Sequence, residues 1–151
     1  MRKIQEVCVG AVINNKKGEI LFVRRSDKDD FMPGFWELPG GSTDFGEEPQ
    51  QGLAREIKEE CGLDISVEKP LSVQTYYVQK KNLNKQCVEI VFLCKMIDEF
   101  QKIKLSDEHS EFAFLPLDRI NEIKLSDYMM EILRDVSKYL SSHIPSGKIV
   151  Q

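Results

Sequence analysis

The chain has 151 residues, of which 41% are hydrophobic and 30% are charged, and its formal net charge is -4. This is the size of one globular domain with enough apolar material for a core, so we expect a single domain over residues 1–151. No run approaches the roughly 20 apolar residues that span a bilayer, and the negative charge argues against a nucleic-acid backbone as the main partner.

The N-terminal half predicts strands followed by a helix. Residues 6–14 alternate apolar and polar side chains, and residues 20–25 follow a polar turn, which together predict a hairpin. Residues 36–39 form a short strand that ends at a glycine pair. Proline suits a first helical position and glycine suits the residue after a helix, so the sequence predicts a helix over Pro49–Cys61.

The C-terminal half predicts two long strands, a short strand and a second helix. The long strands are residues 65–78 and 86–97, joined by a polar turn, and residues 110–117 are a short strand. Residues 126–140 carry apolar side chains at helical spacing, with Ser126 as a plausible N-cap, and residues 141–151 read as a frayed or loosely docked tail. This order predicts an α+β fold: a mixed sheet between helices, or α/β/α sandwich.

The four cysteines stand singly, without a CxxC pair: Cys8, Cys61, Cys87 and Cys94. This spacing favours buried, reduced thiols over a disulfide or zinc framework, and it suits a cytoplasmic protein. The first residues alternate like a strand and do not resemble a signal peptide.

Three glutamates cluster on the first predicted helix. Glu56, Glu59 and Glu60 are spaced i, i+3, i+4, so their side chains lie close together and repel. A single Arg55 cannot neutralise three carboxylates, whereas Mg²⁺ or Mn²⁺ prefers oxygen ligands of this kind. The alternative is a solvated acidic helix face with i,i+4 ion pairs.

The residues around these glutamates follow a longer pattern. Residues 41–63 read G-x5-E-x7-R-E-U-x-E-E-x-G-U, where U is aliphatic, without a departure at any position. The chain therefore resembles the Nudix hydrolases, and its "VCVGAVI" and "WELPGG" segments are most similar to the MutT branch. The resemblance is strong over about residues 4–65 and looser beyond them.

The resemblance implies metal-dependent hydrolysis of a pyrophosphate bond in a nucleotide, with Mg²⁺ or Mn²⁺ as cofactor. The implied metal ligands are Glu56, Glu59, Glu60 and the backbone carbonyl of Gly40. Arg55 would pair with Glu47 and hold the loop against the helix, while Gly41 and Gly62 would have structural roles.

Several catalytic and substrate-binding assignments stay open at the sequence level. The general base is either a box glutamate, Glu59 or Glu60, or a glutamate from the later loop, where we expect Glu111. Glu108 and His109 lie in the same loop segment, and a loop histidine is more often simply exposed. The resemblance implies Arg25 for the substrate phosphate, and aromatic chemistry makes Phe35, Trp36 and Tyr77 candidates for stacking on a base. The alternatives for these residues are a surface arginine and aromatic rings packed in the core.

The substrate is expected to be a nucleoside triphosphate or a modified deoxynucleoside triphosphate, cleaved to the monophosphate and pyrophosphate. Gln79 stands where ADP-ribose pyrophosphatases carry a proline, and the segment typical of NADH pyrophosphatases is absent. The alternatives are a dinucleoside polyphosphate or nucleotide-sugar pyrophosphatase, a nucleotide-binding module without catalysis, and an acidic helix that binds another protein. A homodimer is compatible with the sequence, and no membrane or nucleic-acid partner is expected.

Overall fold

The computed structural model describes residues 1–143. These residues form seven strands, two α-helices and one 3₁₀ helix: β1 Arg2–Ile13, β2 Ile20–Arg25, β3 Trp36–Glu37, β4 Gly40–Ser42, α1 Pro49–Cys61, β5 Ile65–Lys80, β6 Leu83–Met96, β7 His109–Leu115, the 3₁₀ helix Leu117–Glu122 and α2 Asp127–His143. Neither α-helix in this part of the chain has the length and apolar character needed to cross a membrane.

The strands form two sheets, with the orders β4-β1-β6-β5 and β3-β2-β7. The first sheet is mixed, because β1 pairs in parallel with β6 and antiparallel with β4. The predicted β1–β2 hairpin is therefore wrong. β1 and β2 meet only at an isolated bridge between Asn14 and Ile20, because β4 and β6 occupy the two edges of β1.

The helices pack on opposite faces, which confirms the predicted α/β/α sandwich. Alternation along β1 places Val9 and Ala11 in one apolar cluster with α1, and Val12 in a second cluster with α2. In α1, Leu53 and Ile57 point into the first cluster and are fully buried. The neighbouring arc of α1, which carries the glutamates, faces away from this cluster.

The helix α1 has the predicted bounds, and each end has a local cause. Pro49 occupies the first turn, and the backbone N–H of Glu48 donates to Gln51 Oε1 at 3.3 Å. At the other end, Gly62 takes φ 70°, a left-handed conformation that glycine adopts without steric cost, and its N–H donates to the Lys58 carbonyl at 3.0 Å. These caps fix where the acidic arc of the helix ends.

Other boundaries differ from the prediction. The long strands β5 and β6 run further than expected, and only Lys81 and Asn82 separate them, with Asn82 at φ 67°. Ser126 is confirmed as an N-cap, because its Oγ accepts from the Met129 N–H at 3.2 Å. Residues 141–143 continue α2 and do not fray, and the rest of the predicted tail lies outside the described residues.

Candidate active site

A cavity of about 360 Å³ opens beside the acidic arc of α1. Seven carboxylates line it, against three basic side chains. The carboxylates are Glu6, Asp29, Glu37, Glu56, Glu60, Glu89 and Glu108, and the basic residues are Arg25, Lys80 and Lys85. The cavity therefore has an excess of negative charge if all of these groups are ionised.

Glu60 is the most buried of the carboxylates from α1, with 5% of the residue exposed. Its Oε2 accepts from the Gly40 N–H at 3.3 Å, and one of its oxygens lies within 4.8 Å of ligand atoms on Glu108 and His109. Burial raises the pKa of Glu60 to about 9, and Glu108 and Glu37 add to this increase. Without a cation, the site thus holds Glu60 in its protonated form at neutral pH.

Glu56 lies beside Glu60 on the cavity wall. Burial raises its pKa, although Arg55 Nη1 donates to Glu56 Oε1 at 3.0 Å and opposes this increase. Two of the three basic side chains that line the cavity pair with other carboxylates: Arg25 contacts Glu37 and Asp29, and Lys85 contacts Glu6.

A divalent cation fits this part of the cavity. Glu56, Glu60 and Glu108 offer carboxylate oxygens, which are the ligands that Mg²⁺ and Mn²⁺ prefer. A cation would also offset the effect of burial on the pKa values of Glu56 and Glu60, because it favours the ionised carboxylates. The donor chemistry and the excess of carboxylates over basic side chains therefore agree with a hard metal ion.

Arg55 braces the loop that precedes α1. Its Nε donates to Glu47 Oε2 at 2.8 Å and its Nη2 donates to Glu47 Oε1 at 3.0 Å, a bidentate pair. Nη2 also donates to the Ser42 carbonyl at 3.1 Å. The hydrogen bonds from Arg55 lower the pKa of Glu47 to about 2, so this carboxylate stays ionised. The brace links β4, the loop and the helix, and it holds Glu56 toward the cavity.

Gly41 allows the loop to approach the helix closely. A Cβ at this position would lie 2.4 Å from the Glu56 carboxyl group, which is far inside contact distance. The first glycine of the pattern is therefore required by the position of Glu56.

The structure separates the third helix glutamate from the other two. Glu59 is 60% exposed at its side chain, and Arg55 Nη1 lies 3.3 Å from Glu59 Oε2. Glu59 does not line the cavity, whereas Glu56 and Glu60 do. The spacing i, i+3, i+4 places all three on one side of the helix, but the cavity meets only part of that side.

The loop before β7 brings Glu108, and not Glu111, to the cavity. Glu111 lies in β7, 60% exposed at its side chain, and its Oε2 is 3.6 Å from Arg24 Nε. His109 is buried, and its Nε2 lies 2.9 Å from Glu37 Oε2, while its Nδ1 has no partner within residues 1–143. His109 is thus buried beside Glu60 and Glu108, whereas the sequence alone favoured an exposed loop histidine.

Arg25 lines the cavity but its guanidinium is already engaged. It donates to the Phe31 carbonyl at 2.8 Å, to Asp29 at 2.6 Å and to Glu37 at 3.1 Å. Burial lowers the pKa of Arg25, but Glu37 and Asp29 outweigh this effect and raise it overall. A substrate phosphate would have to compete with these carboxylates for Arg25.

Trp36 and Tyr77 do not line the cavity. Trp36 packs against the apolar cluster of α2, and its backbone N–H donates to the Lys124 carbonyl at 2.8 Å. Tyr77 is 64% exposed on the outer face of β5. Because neighbouring residues of a strand point to opposite faces, it is Tyr76 that reaches the cavity.

Comparison with known proteins identifies this architecture. The model of the NUDIX domain matches residues 5–136 of the chain. The chain belongs to the Nudix family. It is 30% identical over 152 residues to a MutT-like protein from Streptomyces ambofaciens, which covers 95% of this chain and 90% of that protein. The solved structure of a MutT protein from Methanosarcina mazei Go1 superposes with a TM-score of 0.78 at 29% identity, covering 92% of this chain and 98% of that chain.

The protein is thus a MutT-like Nudix hydrolase, and several of its relatives carry other activity names. It is 28% identical over 131 residues to nucleoside triphosphatase NudI from Enterobacter sp. (strain 638), covering 82% of this chain and 90% of that protein. It is 30% identical over 129 residues to an ADP-ribose pyrophosphatase from Methanocaldococcus jannaschii, covering 82% of this chain and 72% of that protein.

Outside the Nudix box, sequence reasoning did not select most of the side chains that line the cavity. Among these are Glu37, Tyr76 and Glu89. Glu89 leaves a visible signal, because it is a single acidic residue inside the apolar run "CVEIVFLC". A charge in the middle of a buried strand is unusual and could have marked it.

Proposed function

We propose that this Nudix hydrolase uses a divalent cation to hydrolyse a pyrophosphate bond of a nucleoside triphosphate or modified deoxynucleoside triphosphate. The products would be the nucleoside monophosphate and pyrophosphate. The observation that carries this proposal is the group of Glu56, Glu60 and Glu108 on the cavity wall, where carboxylates outnumber the basic side chains and the buried Glu60 makes no ion pair within residues 1–143.

In this proposal, Glu56, Glu60 and the Gly40 carbonyl hold Mg²⁺ or Mn²⁺. Glu59 joins them if its side chain leaves Arg55. When bound, the cation neutralises phosphate charge and lowers the pKa of a water molecule.

The chain's own residues supply the rest. Glu108 lies next to Glu60 and accepts the proton of the attacking water, in the role that the sequence assigned to Glu111. Arg55 contributes by fixing Glu56 and the loop. Arg25 contacts the phosphates by exchanging Asp29 or Glu37 for the substrate.

The name of the NudI relative and the similarity to MutT support a triphosphate substrate. The ADP-ribose pyrophosphatase relative supports the rival class, in which a nucleotide linked to a sugar phosphate is cleaved. Gln79 lies in β5 where ADP-ribose pyrophosphatases carry a proline, which favours the triphosphate.

One experiment separates these candidates. Purified protein is incubated with Mg²⁺ and a panel of nucleoside triphosphates, dinucleoside polyphosphates and nucleotide sugars, and the products are separated by ion-exchange chromatography. We expect the monophosphate and pyrophosphate from a triphosphate, with the activity lost in Glu60→Gln. Glu131→Gln is the matched control, because Glu131 is an exposed glutamate on α2 that pairs only with Arg134.

Other outcomes would replace the proposal. Sugar phosphate together with a monophosphate would indicate a nucleotide-sugar pyrophosphatase. Nucleotide binding without turnover would indicate a binding module. Turnover that is unchanged in Glu60→Gln, or that needs no divalent cation, would refute the assigned site.

A further inference from the structure

Glu89 on β6 has a carboxyl oxygen without a hydrogen-bond partner inside the cavity. Its Oε2 is shielded from solvent and accepts no hydrogen bond within residues 1–143. A buried polar atom of this kind is uncommon and usually has a functional reason.

The neighbouring donors are engaged with other acceptors. β-sheet register places Gln74 opposite Glu89, but Gln74 Nε2 donates to Asp135 Oδ2 at 3.0 Å. The Tyr76 hydroxyl lies 3.9 Å from Cys8 Sγ, to which it donates. Glu89 is therefore available to a donor that enters the cavity.

Aromatic rings stand next to this carboxyl. Tyr76 is the diagonal neighbour of Glu89 on the same face of the sheet, and its ring stacks on Tyr128 with ring centroids 4.1 Å apart. Phe31 lies nearly parallel to Tyr76, at an interplanar angle of 18° and a centroid distance of 6.4 Å. A planar base between two rings needs roughly 7 Å, twice the stacking distance of about 3.4 Å between bases. The gap between Phe31 and Tyr76 is thus close to the thickness of one base.

We infer that this inner end of the cavity is the nucleobase site. Phe31 and Tyr76 stack on the base, and Glu89 accepts a hydrogen bond from its exocyclic amino group, as found on adenine, cytosine and guanine. This inference rests on the proposed function, since it concerns the base of the same nucleotide whose phosphates lie at Glu56 and Glu60.

The chemistry of the cavity favours an amino group over a carbonyl group at this point. Hypoxanthine and uracil present an oxygen where adenine and cytosine present an amino group, and this oxygen would face the Glu89 carboxyl that lines the cavity. Two acceptors in contact leave both without a hydrogen bond, so the site should reject such bases. Burial and the charge of Glu37 raise the pKa of Glu89 to about 8, so the full preference is expected above this pH. The carboxylate only accepts hydrogen bonds, whereas the protonated carboxyl also has an O–H that can donate to a carbonyl group.

The test compares nucleotides that differ in the amino group. kcat/KM is measured at about pH 9, where Glu89 is ionised, for ATP against ITP and for CTP against UTP, with the wild type, Glu89→Leu and Glu89→Gln. We expect the wild type to prefer the amino member of at least one pair by about 10- to 100-fold, the effect of one hydrogen bond in a dry site. Glu89→Leu should remove the preference by slowing the amino member, and Glu89→Gln should reduce it because the amide accepts from an amino group but also donates to a carbonyl group.

The matched control is Glu68→Leu, a strand glutamate on β5 that contacts Lys95 outside the cavity. It should keep the wild-type preference. Glu89→Leu should fold with an unchanged or higher Tm, because the carboxyl that it removes has no partner to lose.

Three results would overturn the inference. The first is hydrolysis that Glu60→Gln abolishes but that shows no amino preference, which leaves the proposed function intact. The second is a preference that survives in Glu89→Leu. The third is an equal loss for all nucleotides together with weaker Mn²⁺ binding, which would place Glu89 at the metal. If the wild type hydrolyses nothing, the proposed function fails, and calorimetric binding of the same pairs then decides the base site independently.

Discussion

Binding of Mg²⁺ should release about one proton from the protein at neutral pH, because the metal-free site holds Glu60 protonated. The pKa of Glu60 is about 9, so a cation that binds below this value has to displace the proton. The apparent affinity should therefore rise nearly tenfold for each pH unit from about pH 6 to pH 8 and level off above about pH 9.

The assay is isothermal titration calorimetry in two buffers with different ionisation enthalpies. The difference between the observed heats gives the number of protons released. Glu60→Gln should release no proton from this position and bind Mg²⁺ more weakly, whereas Glu131→Gln should behave as the wild type. Equal heats in both buffers, or an affinity that does not change between about pH 6 and pH 8, would refute the reasoning.

The same proton has a consequence for folding stability without metal. The native Glu60 carboxyl holds its proton up to about pH 9, while the unfolded chain releases it near its ordinary pKa of 4.5. Between these values the native state binds more protons, so raising the pH lowers the free energy of unfolding by about 1.4 kcal/mol per pH unit from this group. The contribution of Glu60 is complete below about pH 4.5 and is lost as the pH rises through about 9. A thermal unfolding series should show this slope, and Glu60→Gln should reduce it.

Three further predictions concern the other residues of the site. Glu108→Gln should lower kcat by about 100-fold or more, whereas Glu111→Gln should change it by less than about threefold; equal effects would contradict the assignment of the base. Arg55→Lys should lower kcat about tenfold, since one ammonium cannot replace a bidentate pair with Glu47, and a wild-type rate would exclude the bracing role. Gly41→Ala should weaken Mn²⁺ binding, measured by electron paramagnetic resonance, because its Cβ would displace the Glu56 carboxyl; Gly18→Ala, a strained turn position remote from the cavity, should not.

Interactions between residues that are close in the chain determine the ends of α1 and the side of the helix that carries its glutamates. Pro49 and Gly62 set the ends of α1 through backbone geometry, and helical spacing brought Glu56 and Glu60 together. Because all of these residues lie within 14 positions of one another, their arrangement needs no knowledge of distant contacts. The same spacing carries the resemblance to the Nudix hydrolases, and it was this resemblance that implied a pyrophosphate hydrolase before the fold was known.

Only the tertiary structure decided which face of each strand points into the cavity, and therefore which side chains line it. Sequence alternation shows that Tyr76 and Tyr77 point in opposite directions, but only the pairing of β5 with β6 and the position of α2 determine that Tyr76 faces inward. The same holds for Glu108 and Glu111, which are separated by the start of β7. The position of Glu89 beside Cys8 likewise comes from the parallel pairing of β1 with β6. These arrangements bring together residues that are far apart in the chain, and the free energy that selects them comes from burying both faces of the sheet, which no local pattern records.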